Sequence, residues 1–303
     1  AQHAPQVLIT VLQGAVLGGG FGLACVSDIA MADHQAQFGL PETSLGLLPA
    51  QIAPFVVQRI GLTETRRLAL TAARFDGTQA RRMGLVHFVE HDAQALAERL
   101  DEVLAEARQQ LAELYQQKQD KYRQNFWLDK ITSFEQQFAA DGNDRSRQLA
   151  AEAALALARH ESSLYSAVRL GHPLRSSLAK KRQHMTVAIK RLEQSMQYGI
   201  AGLYSEAQFR VAQLYQQMAT ALLQSDRPKG LDELALEEYE LLLEEQAYPF
   251  EEKAIAIYQL NTALTQQALW DSWIEQSFHH LSLLLPAKFN KPESYSGVTD
   301  AAY

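Results

Sequence analysis

The sequence predicts a mostly helical chain in which an α/β segment precedes an all-α domain. Ten of the 16 glycines lie at or before Gly84, and no lysine precedes Lys118. Short apolar runs alternate with glycine and proline in the first part, which is typical of mixed α/β structure. After about residue 105 the chain is rich in Gln, Glu, Ala and Leu and has helical periodicity. We therefore place the two domains at 1–106 and 107–303, with the seam inside 96–110, a stretch that itself has a helical pattern.

Composition and charge restrict the function classes. The 303 residues are 47% hydrophobic and 21% charged, with a net charge of −7, which argues against nucleic acid as the main partner. No run approaches the ~18 apolar residues that a membrane helix needs. The single cysteine, Cys25, excludes an internal disulfide and fits a reduced compartment. The chain begins without methionine, so we expect its natural beginning to be missing, with a processed terminus as the alternative.

The elements of the first part follow from apolar runs and their breakers. The predicted strands and extended segments are Val7–Leu12, Ile29–Ala32, Gln37–Gly39 and Leu85–Val89. The predicted helices are Gly20–Val26, Pro49–Arg59 with a break near Pro54, Thr63–Thr71 with Thr63 as N-cap, Thr78–Met83 closed by Gly84, and a helix capped by Asp92.

The second part is predicted to be a series of helices. They lie near 94–125, 144–160, 175–198, 203–224, 231–246, 250–268 and 270–285. Pro249 and Pro286 each follow a predicted helix, and their spacing is close to the ~34-residue period of paired-helix tetratricopeptide repeats. We interpret this as a weak helical repeat.

The chemistry of the chain concentrates in residues 14–50, where Gly18, Gly19 and Gly20 separate an apolar strand from an apolar helix. Unpaired N–H groups at a helix start can bind a carbonyl oxygen, and glycine permits its close approach. Glu42 follows Pro41 among apolar residues (Phe38, Leu40, Leu45, Leu47), where partial burial would raise its pKa as an acid/base group requires. The alternatives are a purely structural turn and a solvated glutamate.

Three motifs carry a family resemblance: GAVLGGGFGLACVSDIAMA, AQFGLPETSLGLLPA and RRLALTAARFDGTQARRMGLVHFV. Residues 5–105 resemble the second half of the crotonase (enoyl-CoA hydratase/isomerase) core, especially methylglutaconyl-CoA and isohexenylglutaconyl-CoA hydratases. The resemblance implies a partial spiral core and an acyl-CoA thioester substrate, with coenzyme A as part of the substrate and no separate cofactor or metal. It implies that the Gly19 N–H binds the thioester oxygen and that Glu42 handles the water or the α-proton. The substrate-binding residues that it implies are Gly18, Gly20, Gly22, Pro41, Leu45 and Ala50.

The sequence departs from that family at three points. Hydratases with two acids carry the second glutamate at the position of Gly22, and Ala50 replaces a common glycine. The first half of the family core, which supplies the other oxyanion N–H and much of the coenzyme A surface, has no counterpart here. We therefore expect half of a site, and catalytic groups that act as a unit lose most of their effect when one is missing.

Residues 107–303 resemble bacterial tetratricopeptide-repeat proteins of the cell envelope, through stretches such as DRSRQLAAEAALALA and SDRPKGLDELALEEYELLLEEQAYPFEEKAIAIYQLN. This resemblance implies an interaction scaffold with a protein partner, and the crotonase part implies a cytoplasmic location and a possible homo-oligomer. Two hypotheses therefore stand: a hydratase-type lyase, and a non-catalytic scaffold. A natural fusion and a chimeric or fragmentary chain are both open.

Other features of the second part have ordinary explanations. His279 and His280 are adjacent and point in different directions on a helix, and His172 and His184 lack partners at ligand spacing. We expect Lys180, Lys181 and Arg182 to form a solvated helix face rather than a nucleic-acid patch. The glutamates of 237–245 are predicted to be the solvent side of an amphipathic helix.

Overall fold

The computed structural model describes residues 7–138, 144–171 and 174–290. These residues form two compact units: unit 1 extends to Ala107, and unit 2 begins at Arg108. The predictions that concern His172, Pro173 and the tail after Asn290 lie outside the described residues.

Unit 1 is built on two small parallel sheets. Its strands are β1 (Ile9–Leu12), β2 (Ala15–Leu17), β3 (Ile29–Asp33), β4 (Gln37–Gly39) and β5 (Phe88–Glu90). One sheet has the order β1-β3-β5 and the other pairs β2 with β4. The chain thus makes two successive turns of one spiral. In each turn the first strand (β1, then β3) joins the three-stranded sheet, and the second strand (β2, then β4) joins the two-stranded sheet. Strand β2 was not predicted: its three residues directly precede the glycine cluster at Gly18–Gly20.

The helices of unit 1 connect and cover these strands. They are α1 (Gly19–Cys25), a 3-10 helix (Pro41–Leu45), α2 (Ala53–Thr71), α3 (Gly77–Arg82) and the start of α4 (Ala93–Gln117). Two predicted caps are present: Gly84 has φ +76° after α3, and Asp92 Oδ1 accepts from Ala95 N at 2.8 Å.

The predicted N-cap at Thr63 is wrong, because α2 is interrupted at Gly61 and Thr63 lies within its second part. Gly61 has φ 80° and ψ 164°, so helical geometry stops there and resumes. The hydroxyl at this break belongs to Thr65, whose Oγ1 donates to Gly61 O at 2.7 Å.

An aromatic core and one arginine hold unit 1 together. Phe75 stacks on Phe38 and meets Phe21 edge-on, with ring centroids 5.6 and 6.0 Å apart. Arg59 of α2 donates to Leu85 O at 3.1 Å and lies beside His87, whose Nδ1 accepts from the Ala30 N–H at 3.0 Å. Desolvation, and to a lesser extent the charge of Arg59, lowers the pKa of His87.

In the described residues of unit 2, the regular secondary structure is entirely helical. Besides the end of α4, its helices are α5 (Lys121–Phe138), α6 (Asp144–Ala167), α7 (Leu174–Gln197), α8 (Ala201–Leu223), α9 (Glu233–Ala263), a 3-10 helix (Leu264–Gln267), α10 (Ser272–Leu284) and α11 (Pro286–Phe289). From α5 to α10 each helix packs against the next, and α8 also contacts both α6 and α10. The buried side chains include Tyr165, Phe209 and Tyr258.

Several predicted helices of the second part have different bounds in the structure: α4 and α5 replace 94–125, α6 extends beyond 144–160, and α9 joins 231–246 to 250–268. The predicted helix 94–125 is wrong because Gln119, at φ 57°, ends α4, and Asp120 Oδ1 then caps α5 by accepting from Arg123 N at 3.0 Å. The predicted break at Pro249 is also wrong, because Pro249 lies inside α9. Pro286 is instead the first residue of α11, so the spacing of the two prolines does not mark a repeat.

The predicted solvated face at Lys180–Arg182 is wrong for its central residue. Lys181 is buried, and its Nζ donates to Tyr165 O and Val168 O, both at 2.9 Å. These carbonyls lie at the C-terminal end of α6, where a cation is favourable. Burial lowers the pKa of Lys181. The expected solvent side of α9 is confirmed, since Glu237, Glu238, Glu240, Glu244 and Glu245 are all exposed.

In the described ranges, no helix combines the length and the hydrophobicity that a membrane crossing would require. Within the same residues, no group of three or more His, Cys, Asp or Glu side chains is placed to hold a metal ion.

Candidate functional site

Two parallel strands place the glycine cluster beside the Pro41-Glu42 turn. In the β2–β4 pair Leu17 lies opposite Gly39, and Gly18 N donates to Gly39 O at 3.4 Å. Strand β2 continues into α1, and strand β4 continues into the 3-10 helix that contains Glu42. Because the carboxyl ends of parallel strands lie at one edge of a sheet, both segments emerge at the same place.

The Gly19 amide is open to a ligand. Gly18 is the N-cap of α1 with φ 52°, a conformation that glycine adopts without strain. Gly19 is the first helical residue, so its N–H has no partner within the helix, and it has no other acceptor among the described residues. Gly19 is exposed, and no heavy atom lies within 4 Å of the position that its Cβ would take.

The Glu42 carboxylate lies next to this amide. Its Oε1 is 3.2 Å from the position of a Cβ on Gly18, the residue before Gly19. Its Oε2 is buried and has no hydrogen-bond partner among the described residues, and the same holds for Thr43 Oγ1. Buried polar atoms are normally paired, so an unpaired carboxylate oxygen on a side chain that reaches the residue before an unpaired amide is suited to a polar ligand.

The position of Gly22 is closed by Ile52. A Cβ on Gly22 would lie 2.6 Å from Ile52 Cγ2 and 3.1 Å from Ile52 Cβ. Gly22 is buried, and its contact with a substrate would therefore be indirect, through the half-buried Ile52. No local pattern indicates this role for Ile52, because the contact joins α1 to the residue that precedes α2.

The remaining predicted site residues are partly or fully exposed. Gly20 is exposed, and its Cβ position is 3.9 Å from Val16. Pro41 occupies the first turn of the 3-10 helix, where it needs no N–H partner. Leu45 is 70% exposed, and Ala50 is exposed in the turn before α2.

The apolar surroundings expected for Glu42 are only partly present. Phe38 and Leu40 are buried, whereas Leu45 and Leu47 are 70% and 59% exposed. The surface next to the 3-10 helix is therefore open. Cys25, at the other end of α1, is buried, and burial raises the pKa of its thiol to about 12, so this cysteine is not a nucleophile at neutral pH.

Part of the chain is similar to known proteins. Residues 1–161 match the family model described as enoyl-CoA hydratase/isomerase. Among curated proteins, the chain is 38% identical over 104 residues to the enoyl-CoA hydratase ACTT6 of Alternaria alternata, covering 34% of this chain and 35% of that one. It is 34% identical over 95 residues to the bacillaene synthase dehydratase PksH of Bacillus subtilis, covering 31% and 37%. The chain thus spans about a third of the length of these relatives.

Two solved structures are also similar to part of the chain. AtuE of Pseudomonas aeruginosa is 52% identical, with coverage of 48% of this chain and 58% of that chain and a TM-score of 0.36. An enoyl-CoA hydratase/isomerase from Marinobacter aquaeolei is 53% identical, with coverage of 35% and 40% and a TM-score of 0.35.

Proposed function

We propose, from the premise that the chain belongs to the enoyl-CoA hydratase/isomerase (crotonase) family, that unit 1 acts on an α,β-unsaturated acyl-CoA thioester. The Gly19 N–H binds the thioester oxygen, and Glu42 transfers a proton to or from the water or the α-carbon. Coenzyme A enters as part of the substrate, and the reaction needs no further cofactor. The observation that carries this proposal is that Glu42, whose Oε2 is unpaired, brings its Oε1 within 3.2 Å of the Cβ position of Gly18, the residue before the unpaired Gly19 amide.

The proposed roles follow from where charge develops in the reaction. Addition of water to the double bond moves negative charge onto the thioester oxygen, and a donor aimed at that oxygen lowers the barrier by ~3–4 kcal/mol. The start of α1 contributes its dipole in the same direction. A carboxylate next to the bound thioester accelerates proton transfer by about 10²–10⁴-fold.

A single carboxylate carries the proposed chemistry. With Ile52 filling the position of the family's other acid, Gly22 offers no room for a second proton-transfer group. Glu42 then handles both proton transfers. Gly18, Gly20, Pro41, Leu45 and Ala50 surround the thioester in this proposal.

The test is hydration of crotonyl-CoA by the full chain, followed as loss of the conjugated enoyl absorbance, together with calorimetric binding of the same thioester. We expect Glu42→Gln to reduce hydration by about 100-fold or more and to leave binding nearly unchanged, because the amide keeps the shape and loses the proton-transfer function. The matched control is Glu64→Gln, the same chemical change in a surface ion pair with Arg67 of unit 1. A parent chain that neither binds nor hydrates crotonyl-CoA, or a fully active Glu42→Gln variant, would contradict the proposal.

A second candidate function concerns unit 2. We propose that it is a helical scaffold of the tetratricopeptide-like kind that its sequence resembles, with another protein as its ligand. The observation that favours it is the serial packing of α5 to α10, in which each helix contacts its neighbour in sequence and α8 contacts the helices two positions away. The helices α6 to α9 have 23–31 residues, so each pair of them is longer than a ~34-residue repeat. The packing therefore supports a scaffold more directly than it supports that particular repeat.

A further inference from the structure

A groove lies where the second half of α9 packs against the end of α10. Its volume is about 470 Å³. The residues that line it are Tyr248, Glu251, Glu252, Ile255, Ala256, Gln259, Leu284 and Leu285. We refer to it as the α9–α10 groove. It lies within unit 2 and shares no residue with the Gly19–Glu42 site of unit 1.

The floor of the α9–α10 groove is apolar and partly exposed to solvent. Ile255, Leu284 and Leu285 are each half-buried, so they present hydrocarbon to whatever occupies the groove. Outside the groove, Leu260 of α9 and Leu283 of α10 are 59% and 63% exposed. A surface of this kind gains free energy from burial of one or two large apolar side chains.

The rim of the groove is negative. Glu251 and Glu252 line it, and no lysine or arginine does. Neither carboxylate forms an ion pair within the described part of the chain; Glu252 accepts a hydrogen bond from Tyr248 Oη at 2.8 Å. The nearest cation in sequence, Lys253, lies over the ring of Tyr215 on α8, with Nζ 5.5 Å from the ring centroid.

The rest of α9 extends this negative field. The exposed Glu237, Glu238, Glu244 and Glu245 precede the groove on the same helix, and no ion pair within the described ranges neutralises them. A cleft lined by one sign of charge concentrates ligands of the opposite sign. The field also repels anionic partners, so nucleic acid and anionic lipid surfaces are poor occupants.

We infer that the α9–α10 groove binds a basic peptide segment of a partner protein, one in which lysine or arginine flanks a large apolar side chain. The apolar side chain occupies the floor formed by Ile255, Leu284 and Leu285, and the cations pair with Glu251 and Glu252 at the rim. This inference rests on the scaffold proposal for unit 2 and specifies the chemistry of its ligand. It is independent of the catalytic proposal for unit 1.

The experiment uses the full chain and a fluorescein-labelled peptide of Lys-Leu-Ala repeats, with binding followed by fluorescence anisotropy. Peptides of Gln-Leu-Ala and Glu-Leu-Ala repeats serve as neutral and acidic counterparts. We expect saturable binding of the basic peptide, at least about tenfold weaker binding of the neutral peptide, and weakening of the basic complex as salt is raised.

One charge-reversed variant and one polar variant of the groove floor locate the site. Glu251→Lys/Glu252→Lys is expected to weaken binding of the basic peptide by at least about tenfold. Ile255→Ser is expected to weaken its binding by about threefold or more. The matched control is Glu237→Lys/Glu238→Lys, an adjacent pair on the same helix outside the groove that makes the same change in net charge. Fluorescence of Trp270 and Trp273 verifies that each variant is folded.

The outcomes separate this inference from the scaffold proposal. Equal weakening by the two double variants overturns the groove assignment, because binding then follows net charge alone. Equal binding of the basic and neutral peptides overturns the charge argument but leaves a scaffold. Failure of all three peptides to bind overturns the inference and also counts against peptide binding by unit 2.

Discussion

At the scale of single residues, the contact between Gly22 and Ile52 limits the size of the side chain that α1 can have at position 22. Any side chain at position 22 must displace Ile52, whose Cγ2 would be 2.6 Å from the new Cβ. Position 20 on the same helix has room, since the nearest atom to its Cβ position, Val16 Cγ1, is 3.9 Å away. These two glycines therefore form a natural pair for comparison.

We expect Gly22→Ala to destabilise unit 1 by about 1–3 kcal/mol, the usual cost of forcing a methyl group into a filled space. Unit 1 has neither Trp nor Tyr in its sequence up to Ala107, but it contains the buried thiol of Cys25 on the same helix. The rate of Cys25 modification by a thiol reagent thus reports opening of unit 1. That rate should rise by about fivefold or more in the variant.

Gly20→Ala is the matched control, and its Cys25 should react within about twofold of the parent rate, because alanine is favoured over glycine in a helix. If Gly22→Ala reacted no faster than Gly20→Ala, Ile52 would be shown to move aside freely. The position of Gly22 would then be available to a larger group.

The sequence and the structure differ in what they reveal about site residues. Gly19 and Glu42 were identifiable from a glycine cluster and a Pro-Glu turn, since both are local patterns. Their roles stay predictions, which the Glu42→Gln experiment addresses. Ile52 could not be found in this way, because its contact with Gly22 depends on how the chain folds back after the 3-10 helix.

At the scale of secondary structure, α9 is continuous through a proline. Pro249 lies inside Glu233–Ala263 and is exposed, so it removes one backbone hydrogen bond to the carbonyl of Glu245 without contributing buried contacts. The packing of the two flanking segments against α8 compensates for this loss. The low helix propensity of Pro249 is therefore outweighed by tertiary packing along the whole of α9.

Pro249→Ala is expected to stabilise unit 2 by about 1–3 kcal/mol, because alanine restores the missing N–H and is ~3 kcal/mol more favourable in a helix interior. The measurement is urea unfolding followed by tryptophan fluorescence, since Trp127, Trp270 and Trp273 are all in unit 2. An unchanged or lower midpoint would mean that the proline sets a bend which the packing of α9 requires.

At the scale of the whole chain, the change in composition does not coincide with a loop. Ala107 and Arg108, where the two units meet in sequence, lie in the middle of α4. The helical pattern of 96–110 predicted this continuity correctly. The family match also continues beyond this point, to residue 161 in α6. The change in amino-acid usage is thus not by itself a boundary of the family.

Limited trypsin digestion tests this organisation. Cleavage after Arg108 should be at least about tenfold slower than cleavage after Lys229, because a protease needs an unfolded segment and α4 provides none. Lys229 is exposed in the loop between α8 and α9, beside Gly230 with φ +85°. The cationic side chain of Arg108 is also held over the ring of Phe134, 4.5 Å from its centroid. First cleavage at Arg108, identified by mass spectrometry, would indicate a flexible linker instead.

The sequence by itself determined the local features of this protein: the Gly19 turn, the Pro41-Glu42 turn, the cap at Asp92, the helical character of the second part and the family to which the chain belongs. Each depends on residues that are neighbours along the chain. Only the tertiary structure decided which distant groups meet: Ile52 over Gly22, Lys181 at the end of α6, the unbroken α9, and the acidic groove between α9 and α10. Such contacts depend on packing free energy summed over many residues, and a linear pattern does not contain that sum.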